Sequence, residues 1–315
     1  MIVVLTGGTG GAKLVQGLHH SIPPENLTVI VNTGDDVEWW GLHVSPDIDS
    51  VLYALADTLS AERGWGLEND SFRCLERMAR LGQPTWFSLG DLDLATHLTR
   101  TNLLRAGKSL SAATVEIARR IGVRSHVLPM SDDRIATMIE TVNGANLNFQ
   151  EYFVRERHQV EVRAVRFEGA EQSQPAPGVV ESIESAEAVI LAPSNPVTSI
   201  GPILAVPGVR EALRRTSAPI VAVSPIVGGE AVSGPAAALM RRKGWPSTIA
   251  GVAQAYEDFL DVLIVDLADH ADADHLREGD LHVLCANTVM KSLEDKRELA
   301  RFTLHAALQA RGAKV

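Results

Sequence analysis

Short, almost wholly apolar segments recur along the chain, and each is followed by glycine-rich or polar residues. Segments of this kind are typical of strands buried on both faces of a parallel sheet. Stretches with helical spacing of apolar residues lie between them, so the alternation predicts an α/β fold with a Rossmann-like, doubly wound, mostly parallel sheet. The predicted strands are 2–5, 27–31, 125–128, 188–191, 219–223 and 261–265, and the predicted helices are 49–59, 71–81, 112–121, 209–215 and 291–311.

Residues 149–187 break this alternation. Charged and apolar residues alternate at 154–157 and 160–166, which is typical of an exposed antiparallel hairpin, and a turn rich in Gln, Pro and Ala follows at 172–177. We expect this region to embellish the core rather than to form a separate domain. The chain is then one unit, with a Rossmann-like core over 1–148 and 188–315 and a hairpin insertion over 149–187.

The charge of the chain excludes some classes of partner. There are 29 Lys and Arg against 39 Asp and Glu, a formal net charge of −10 over 315 residues. Nucleic-acid binding needs a basic footprint, so we expect no nucleic-acid partner, and anionic ligands must be held by helix N-termini, peptide N–H groups or a metal. Two cysteines, no signal peptide and no apolar run of about 20 residues predict a cytoplasmic protein without a membrane segment.

A glycine-rich segment follows the first predicted strand. Residues 6–13 read Thr-Gly-Gly-Thr-Gly-Gly-Ala-Lys and lead into a helix expected at 14–19. Glycines let N–H groups approach a phosphate, and a helix N-terminus adds partial positive charge. The segment is neither a complete dinucleotide fingerprint nor a P-loop, and a turn without ligand is the alternative. The predicted nucleotide contacts here are Gly7, Gly8, Thr9, Gly10, Gly11 and Lys13.

Two later loops follow strands that we expect at the same edge of the sheet. Residues 192–202 offer neutral side-chain donors and prolines that fix turns, and residues 224–235 offer adjacent glycines with exposed N–H groups. Phosphate recognition by neutral and backbone donors suits a chain with a net negative charge. The predicted nucleotide contacts in these loops are Ser194, Asn195, Pro196, Gly228 and Gly229.

Four aspartates follow the second predicted strand. Asp35 and Asp36 are adjacent, which favours a hard cation such as Mg²⁺, although one of them pointing into solvent is the alternative. Ser45 and Pro46 have the positions of an N-cap and a first helical residue. Asp47 then has a structural explanation in the helix dipole, whereas Asp49 has less structural reason to be acidic and is the better functional candidate.

Two further segments leave their roles open. Residues 86–97 concentrate aromatic and acidic residues, and a helix starting at residue 92 would bring Asp93 and His97 onto one face, for acid–base or ribose-binding work or simply as part of a capped helix. Residues 266–275 carry four aspartates and two histidines in no recognisable zinc spacing, so we expect a solvated loop or helix start.

These segments resemble the 2-phospho-L-lactate transferase family of coenzyme F-420 biosynthesis. The matching segments occur in the family's order at 6–13, 32–36, 45–49, 86–100, 131–134, 148–157, 192–207 and 224–234. The resemblance implies a Mg²⁺-dependent transferase of substituted phosphate groups. Such enzymes move a phosphorylated three-carbon acid, either 2-phospho-L-lactate or phosphoenolpyruvate, from a guanosine diphospho-linked donor to the ribityl hydroxyl of 8-hydroxy-5-deazariboflavin (FO), and they release GMP. Homodimers also occur in the family.

The resemblance also implies roles for individual residues. The family's FO-contacting aspartate falls on Asp49, and its second FO-contacting position, often basic in archaeal members, falls on Ser88, which is closer to the bacterial subgroup. Our hypothesis assigns Asp35, Asp36 and Asp47 to Mg²⁺ and makes Asp49 and Asp36 the catalytic candidates, with Asp49 as orienter or base for the hydroxyl. The aromatic side chains proposed to stack on FO or to pack in the core are Trp39, Trp40, Trp86 and Phe87.

Two other functions remain as alternatives at this level. A non-catalytic regulator that binds a nucleotide-sugar would share the glycine loop and the acidic pair, but not residues 86–97 or the Pro-Ser-Asn-Pro run at 193–196. An NAD-dependent dehydrogenase would require the third fingerprint glycine, which Lys13 replaces.

Overall fold

The computed structural model describes residues 1–232, 234–277 and 281–313. Ser233, which falls in the predicted loop 224–235, lies outside the described residues. Within these ranges the strands are β1 Ile2–Thr6, β2 Leu27–Val31, β3 Val37–Trp39, β4 Leu42–Val44, β5 His126–Pro129, β6 Ala136–Thr141, β7 Asn146–Asn148, β8 Val162–Glu168, β9 Ala188–Leu191, β10 Ile220–Val223, β11 Ile226–Val227, β12 Glu230–Ala231, β13 Val262–Asp266 and β14 His282–Ala286. The α-helices are α1 Gly8–His19, α2 Pro46–Leu55, α3 Arg73–Arg80, α4 Asp91–Arg105, α5 Leu110–Arg120, α6 Val179–Glu184, α7 Ile200–Ala205, α8 Val209–Arg215, α9 Ala236–Arg242, α10 Ile249–Ala255, α11 His270–Arg277 and α12 Leu293–Ala313.

Seven strands form one central sheet in the order β14-β13-β10-β9-β1-β2-β5, and every neighbouring pair is parallel. From β1 the chain builds outward through β2 and β5, then returns to the other side of β1 with β9 and continues to β14. The strand order therefore reverses between β1 and β9. In doubly wound sheets, ligands bind at such a switch point, outside the carboxyl ends of the strands. The predicted fold class is confirmed.

The central strands are apolar throughout because the sheet is covered on both faces. Successive side chains of a strand point to opposite faces, so Val3 and Leu5 belong to one hydrophobic cluster and Val4 to the other, and all three are fully buried. On the Val4 side the sheet packs against apolar residues of α1, α2, α5 and α12. All six predicted strands agree with the structure to within one residue at each end.

The predicted hairpin over 149–187 is wrong in its position. The antiparallel sheet has the order β7-β6-β8, and two of its three strands, β6 and β7, precede residue 149. Of the charged alternation, only residues 162–166 belong to a strand, β8. At 154–157 the chain instead leaves a π-helical turn, Glu151–Arg155, in which Arg155 pairs with Glu151 at 2.8 Å. A pair spaced four residues apart is a helical contact, and it competes with the strand pattern there.

None of the described helices has the length and apolar character needed to cross a bilayer.

Candidate active site

The loops after β1 and β9 meet at the switch point of the sheet. The Gly7 N–H donates to Ser194 Oγ at 3.3 Å, and Thr6 Oγ1 lies 3.4 Å from the same hydroxyl. A Cβ added at Gly10 would lie 2.6 Å from the Pro193 carbonyl oxygen, closer than packed atoms approach, so the two segments touch only because residue 10 is glycine. The structure thus brings together the glycine segment and Ser194.

Helix α1 begins at Gly8, six residues earlier than expected, so that Gly7 alone separates it from β1. The predicted loop residues Gly8 to Lys13 are therefore in the helix. The first N–H groups of a helix have no partner within it, and they face the carboxyl edge of the sheet here. Lys13 lies near enough to Lys296 of α12 to contribute, after burial, to the lowered pKa of that lysine.

Asp47 already occupies part of this helix N-terminus. Its Oδ1 accepts the Gly8 N–H at 2.7 Å, and its Oδ2 accepts from Asn32 Nδ2 at 2.9 Å. The carboxylate of α2 thus caps α1, a role beyond the dipole of its own helix. Burial raises the pKa of Asp47 to about 6, with further contributions from the charges of Asp36 and Asp49.

Asp35 is buried beside it, and the neighbouring Asp36 is mostly but not fully buried. Asp36 Oδ2 accepts from Ser45 Oγ at 2.7 Å and lies 3.0 Å from His43 Nε2. Ser45 therefore has the N-cap position of α2 but does not cap it, because its hydroxyl is directed to Asp36. Burial raises the pKa of Asp36, and burial together with the Asp47 charge raises the pKa of Asp35 well above its ordinary value. Oδ1 of each aspartate is buried and accepts no hydrogen bond, so a cation would find free oxygens there.

Asp49 forms a buried ion pair with Arg100 of α4. Arg100 Nη1 donates to Asp49 Oδ2 at 3.0 Å, and Nη2 donates to Oδ1. Burial lowers the pKa of Arg100, but the Asp49 charge and hydrogen bonds outweigh it, so that the pKa is raised overall. His97 lies beyond, with Nδ1 3.5 Å from Asp49 Oδ2 and Nε2 3.4 Å from Asp93 Oδ1. Tyr53 completes the network by donating to Asp93 at 2.6 Å.

The carboxylates and imidazole of this network have the composition of a metal site. Ligand atoms of Asp49, Asp93 and His97 lie within 4.8 Å of one another, and all three residues are buried. The guanidinium of Arg100 already neutralises Asp49, however, and a dication next to it would be repelled. We therefore favour the Asp35 and Asp36 oxygens as the cation position.

Sequence reasoning considered Asp93 and His97 but missed Arg100. The three follow each other at intervals of four and three residues, so α4 carries a polar stripe that is buried, whereas Leu92 and Leu98 of the same helix are exposed. This inverted amphipathic pattern is the signal that was available, since charged residues with helical spacing among exposed leucines indicate a polar network inside the protein.

In the loops 192–202 and 224–235, several groups predicted to contact a nucleotide instead bind other parts of the chain. Asn195 Oδ1 accepts the N–H groups of Val197 and Thr198, so its carbonyl stabilises its own loop. The N–H groups of Gly228 and Gly229 donate to Asp269 at 3.0 and 3.2 Å. These two donors are thus engaged by a carboxylate of the chain and are not free to donate to a phosphate in this structure.

The acidic segment 266–275 is only partly the solvated run that we expected. Asp266 is buried and accepts from the N–H groups of Ala268 and Thr288, and Asp269 is buried against the glycines. The two later aspartates, Asp272 and Asp274, are exposed, and Asp274 pairs with Arg277. Two of the four aspartates therefore stabilise loops, a role that spacing alone could not indicate.

Two of the proposed FO-contacting residues, Trp86 and Ser88, lie in an aromatic segment beside α4, whereas Asp49 lies in α2. Trp86 is partly exposed and packs edge-on against Trp39 at 4.7 Å between ring centroids, while the Arg155 guanidinium lies 5.6 Å from the Trp86 ring. Trp39 and Phe87 are buried in the same cluster. Ser88 is half-buried, and the face of Trp86 that Arg155 covers is not free for ring stacking in this structure.

Comparison with known proteins places this chain in a family. Residues 2–296 match the family described as 2-phospho-L-lactate transferase CofD. A 2-phospho-L-lactate transferase of Methanosarcina mazei is 43% identical over 305 residues, which cover 97% of this chain and 100% of the relative. A phosphoenolpyruvate transferase of Streptomyces griseus is 42% identical over 315 residues, covering 98% of this chain and 99% of the relative.

The fold has solved counterparts at greater distance. A protein of the UPF0052 family from Bacillus halodurans superposes with a TM-score of 0.65 at 18% identity, over 96% of this chain and 98% of the other. That similarity supports the fold alone. Because the family match and the two transferases extend over nearly the whole chain, this protein belongs to the CofD family of 2-phospho-L-lactate transferases.

Proposed function

We propose that this transferase moves the phosphorylated three-carbon acid of a guanosine diphospho-linked donor onto the ribityl hydroxyl of FO, with release of GMP, in coenzyme F-420 biosynthesis. The observation that carries the proposal is a chain of contacts at the switch point. Gly7, at the N-terminus of α1, donates to Ser194, and Asp47 accepts from Gly8. Asp47 thereby connects the start of α1 with the cluster formed by Asp35, Asp36 and Asp47. A diphosphate bound at the helix N-terminus would lie next to carboxylates suited to a cation. The relatives' names support a phospho-acid as the group transferred.

We assign Mg²⁺ to Asp35 and Asp36, with Asp47 alongside. The buried Oδ1 atoms without a partner fit a hard cation, whereas both oxygens of Asp47 already accept hydrogen bonds. When bound, Mg²⁺ supplies charge neutralisation for the diphosphate. The neighbouring carboxylates otherwise repel one another and the anionic donor, which supports a cation as part of the working site.

In the proposed reaction the ribityl oxygen forms a bond to the phosphorus that carries the three-carbon acid. The bond from this phosphorus to the GMP oxygen breaks, and the hydroxyl proton is released. We propose that Asp49 orients the hydroxyl rather than removing its proton, because Arg100 engages both of its oxygens. Asp36 is the second catalytic candidate through the cation, since its Oδ1 without a partner would hold Mg²⁺ close to the reacting groups.

The acceptor is proposed to bind against the aromatic cluster, with Trp86 and Ser88 near its ring. The cluster supports this because Trp86 is partly exposed and packs against other aromatic rings.

A cytoplasmic homodimer is also part of the proposal, and sedimentation of the purified protein tests the dimer.

Calorimetric titration tests the nucleotide assignment. We expect GDP to bind, and we expect Ser194→Ala to weaken GDP binding because the hydroxyl that accepts the Gly7 N–H is lost. Ser185→Ala is the matched control, since that exposed hydroxyl only donates to the Glu181 carbonyl. Binding of a UDP-sugar without GDP would favour the regulator, and binding of NAD would favour the dehydrogenase.

A further inference from the structure

Arg100 is a fully buried arginine whose charge meets Asp49 through a two-point contact. Nη1 and Nη2 each donate to a different oxygen of the carboxylate, and the side chain has no exposed surface. A planar guanidinium fixes the distance and the orientation of a carboxylate at once, which a lysine ammonium cannot do.

This contact joins two helices that are far apart in the chain. Asp49 lies in the first turn of α2, and Arg100 lies 51 residues later in α4. On the α4 side, His97 Nδ1 lies 3.4 Å from Arg100 Nη1, and the far side of the imidazole faces Asp93, which accepts from Tyr53 of α2. The guanidinium is therefore placed by its own helix and by the His97 ring, with Asp93 and Tyr53 on the far side of that ring.

We propose that Arg100 is a positioning residue for the acceptor: it holds the Asp49 carboxylate at the angle needed to orient the ribityl hydroxyl. The inference rests on the proposed function, in which Asp49 contacts FO. It adds a residue that acts through Asp49 and touches neither the donor nor the deazaflavin. Loss of this two-point contact should therefore weaken the binding and turnover of FO selectively, while the contact between Gly7 and Ser194 at the nucleotide site stays intact.

Arg100→Lys tests this inference because it keeps the positive charge and removes the two-point contact with Asp49. Arg210→Lys is the matched control, since Arg210 makes a similar two-point contact with Asp258 at 3.0 and 2.5 Å on a partly exposed surface. GDP titration counts the folded sites in each preparation, and Kd for FO, kcat and both KM values are then expressed per folded site. We expect Arg100→Lys to raise Kd and KM for FO at least about tenfold and to lower kcat, with the GDP values changed less than about twofold.

A double variant separates positioning from direct contact and covers poor folding of Arg100→Lys. If Arg100 acts through Asp49, FO affinity in Asp49→Asn/Arg100→Gln equals that in Asp49→Asn. A further loss in the double variant would show direct contact with FO and overturn the positioning role. Wild-type turnover of FO together with unchanged FO constants in Arg100→Lys would overturn the inference alone. A wild type that does not accept FO would overturn the proposed function and this inference with it.

Discussion

At the scale of single residues, the environment of Asp49 determines how its role can be tested. Replacing Asp49 by Asn leaves the buried Arg100 without a counter-ion, a change that typically costs about 3–5 kcal/mol. We predict that Asp49→Asn loses turnover and much of its stability, while GDP affinity per folded site is largely kept. Asp49→Glu keeps the charge but displaces the carboxylate, so we predict a smaller loss of stability and a fall in turnover of about 10²-fold.

Urea unfolding and GDP titration of these variants provide the measurements. Asp258→Asn is the control, because Asp258 pairs with Arg210 and Arg214 near the surface, where such pairs contribute about 0–1 kcal/mol. Wild-type turnover in Asp49→Asn or Asp49→Glu would remove Asp49 from the chemistry.

The raised pKa values of Asp35 and Asp47 make stability depend on pH when no metal is bound. Asp47 titrates at about 6 in the folded chain, against about 3.9 in an unfolded chain. Between these values the folded state binds more protons, so the free energy of unfolding falls as pH rises through the window. Asp35, whose pKa is also raised well above its ordinary value, acts in the same direction and extends the decline to higher pH. We predict that chelator-treated protein is less stable at about pH 8 than at about pH 5, and that Asp47 alone contributes roughly 1.4 kcal/mol, because about one unit of its pKa shift lies above pH 5.

Adding Mg²⁺ should reduce this pH dependence, because a cation that binds only the folded state stabilises it and favours the ionised carboxylates. Thermal unfolding with and without Mg²⁺ is the measurement, and Asp35→Asn should show a weaker dependence on both pH and Mg²⁺. Equal pH profiles in chelator and in Mg²⁺ would contradict a cation at this cluster.

Residue types in the loops could be predicted from the sequence, but their partners could not. The positions of Asp35, Asp36, Asp47 and Asp49 after a buried strand indicated an acidic site. That Arg100 would neutralise Asp49 depends on how α2 packs against α4, which is a tertiary property.

At the scale of elements, the junction of α1 with the β9 loop depends on glycine. We predict that Gly10→Ala weakens GDP binding at least about tenfold and destabilises the protein by about 1–3 kcal/mol, because the new Cβ would meet the Pro193 carbonyl. Gly229→Ala is the matched control. Its φ of +77° costs about 1–2 kcal/mol for a residue with a Cβ, but the Cβ meets no atom within 4 Å.

Because the Gly229 N–H is engaged by Asp269, we expect GDP affinity of Gly229→Ala within about twofold of wild type. Calorimetry gives both affinities, and urea unfolding gives both stabilities. Equal losses of GDP affinity in the two variants would mean that the β11–β12 turn, rather than the α1 junction, contacts the nucleotide.

Elements with strong apolar runs were predicted well, whereas their exact starts depended on tertiary packing. Strand β9 and helix α8 agree at both ends with the prediction. The start of α1 was placed six residues late because glycines weigh against a helix, yet here they permit the close approach to β9. Strand β14 was missed; it is a largely half-buried edge strand without a long β-branched run.

At the scale of the whole molecule, the order of strands explains why distant segments form one site. The reversal between β1 and β9 brings the glycine segment beside residues 193–196, which are nearly two hundred positions later in the chain. Alternating strands and helices predicted a doubly wound sheet and a ligand at its carboxyl edge. Which two loops meet depends on the strand order, which the pattern alone leaves open.

Part of the acidic excess behind the net charge of −10 is clustered in this structure. Asp35, Asp36, Asp47 and Asp49 lie together at the end of β2 and the start of α2, and Arg100 compensates one of them. The remaining buried negative charge is what we propose Mg²⁺ to offset when a diphosphate binds.

The most direct test of the proposed function is mass spectrometry of the product formed from FO. Purified protein is incubated with FO, Mg²⁺ and either a phosphoenolpyruvyl or a 2-phospho-L-lactyl guanosine diphosphate donor, with a chelator-treated sample and Asp49→Glu as controls. We predict an FO adduct that carries one phospho-acid group, released together with an equal amount of GMP, from at least one donor and only when Mg²⁺ is present. Unmodified FO with both donors, under conditions in which GDP binding shows the protein to be folded, would contradict the proposed function.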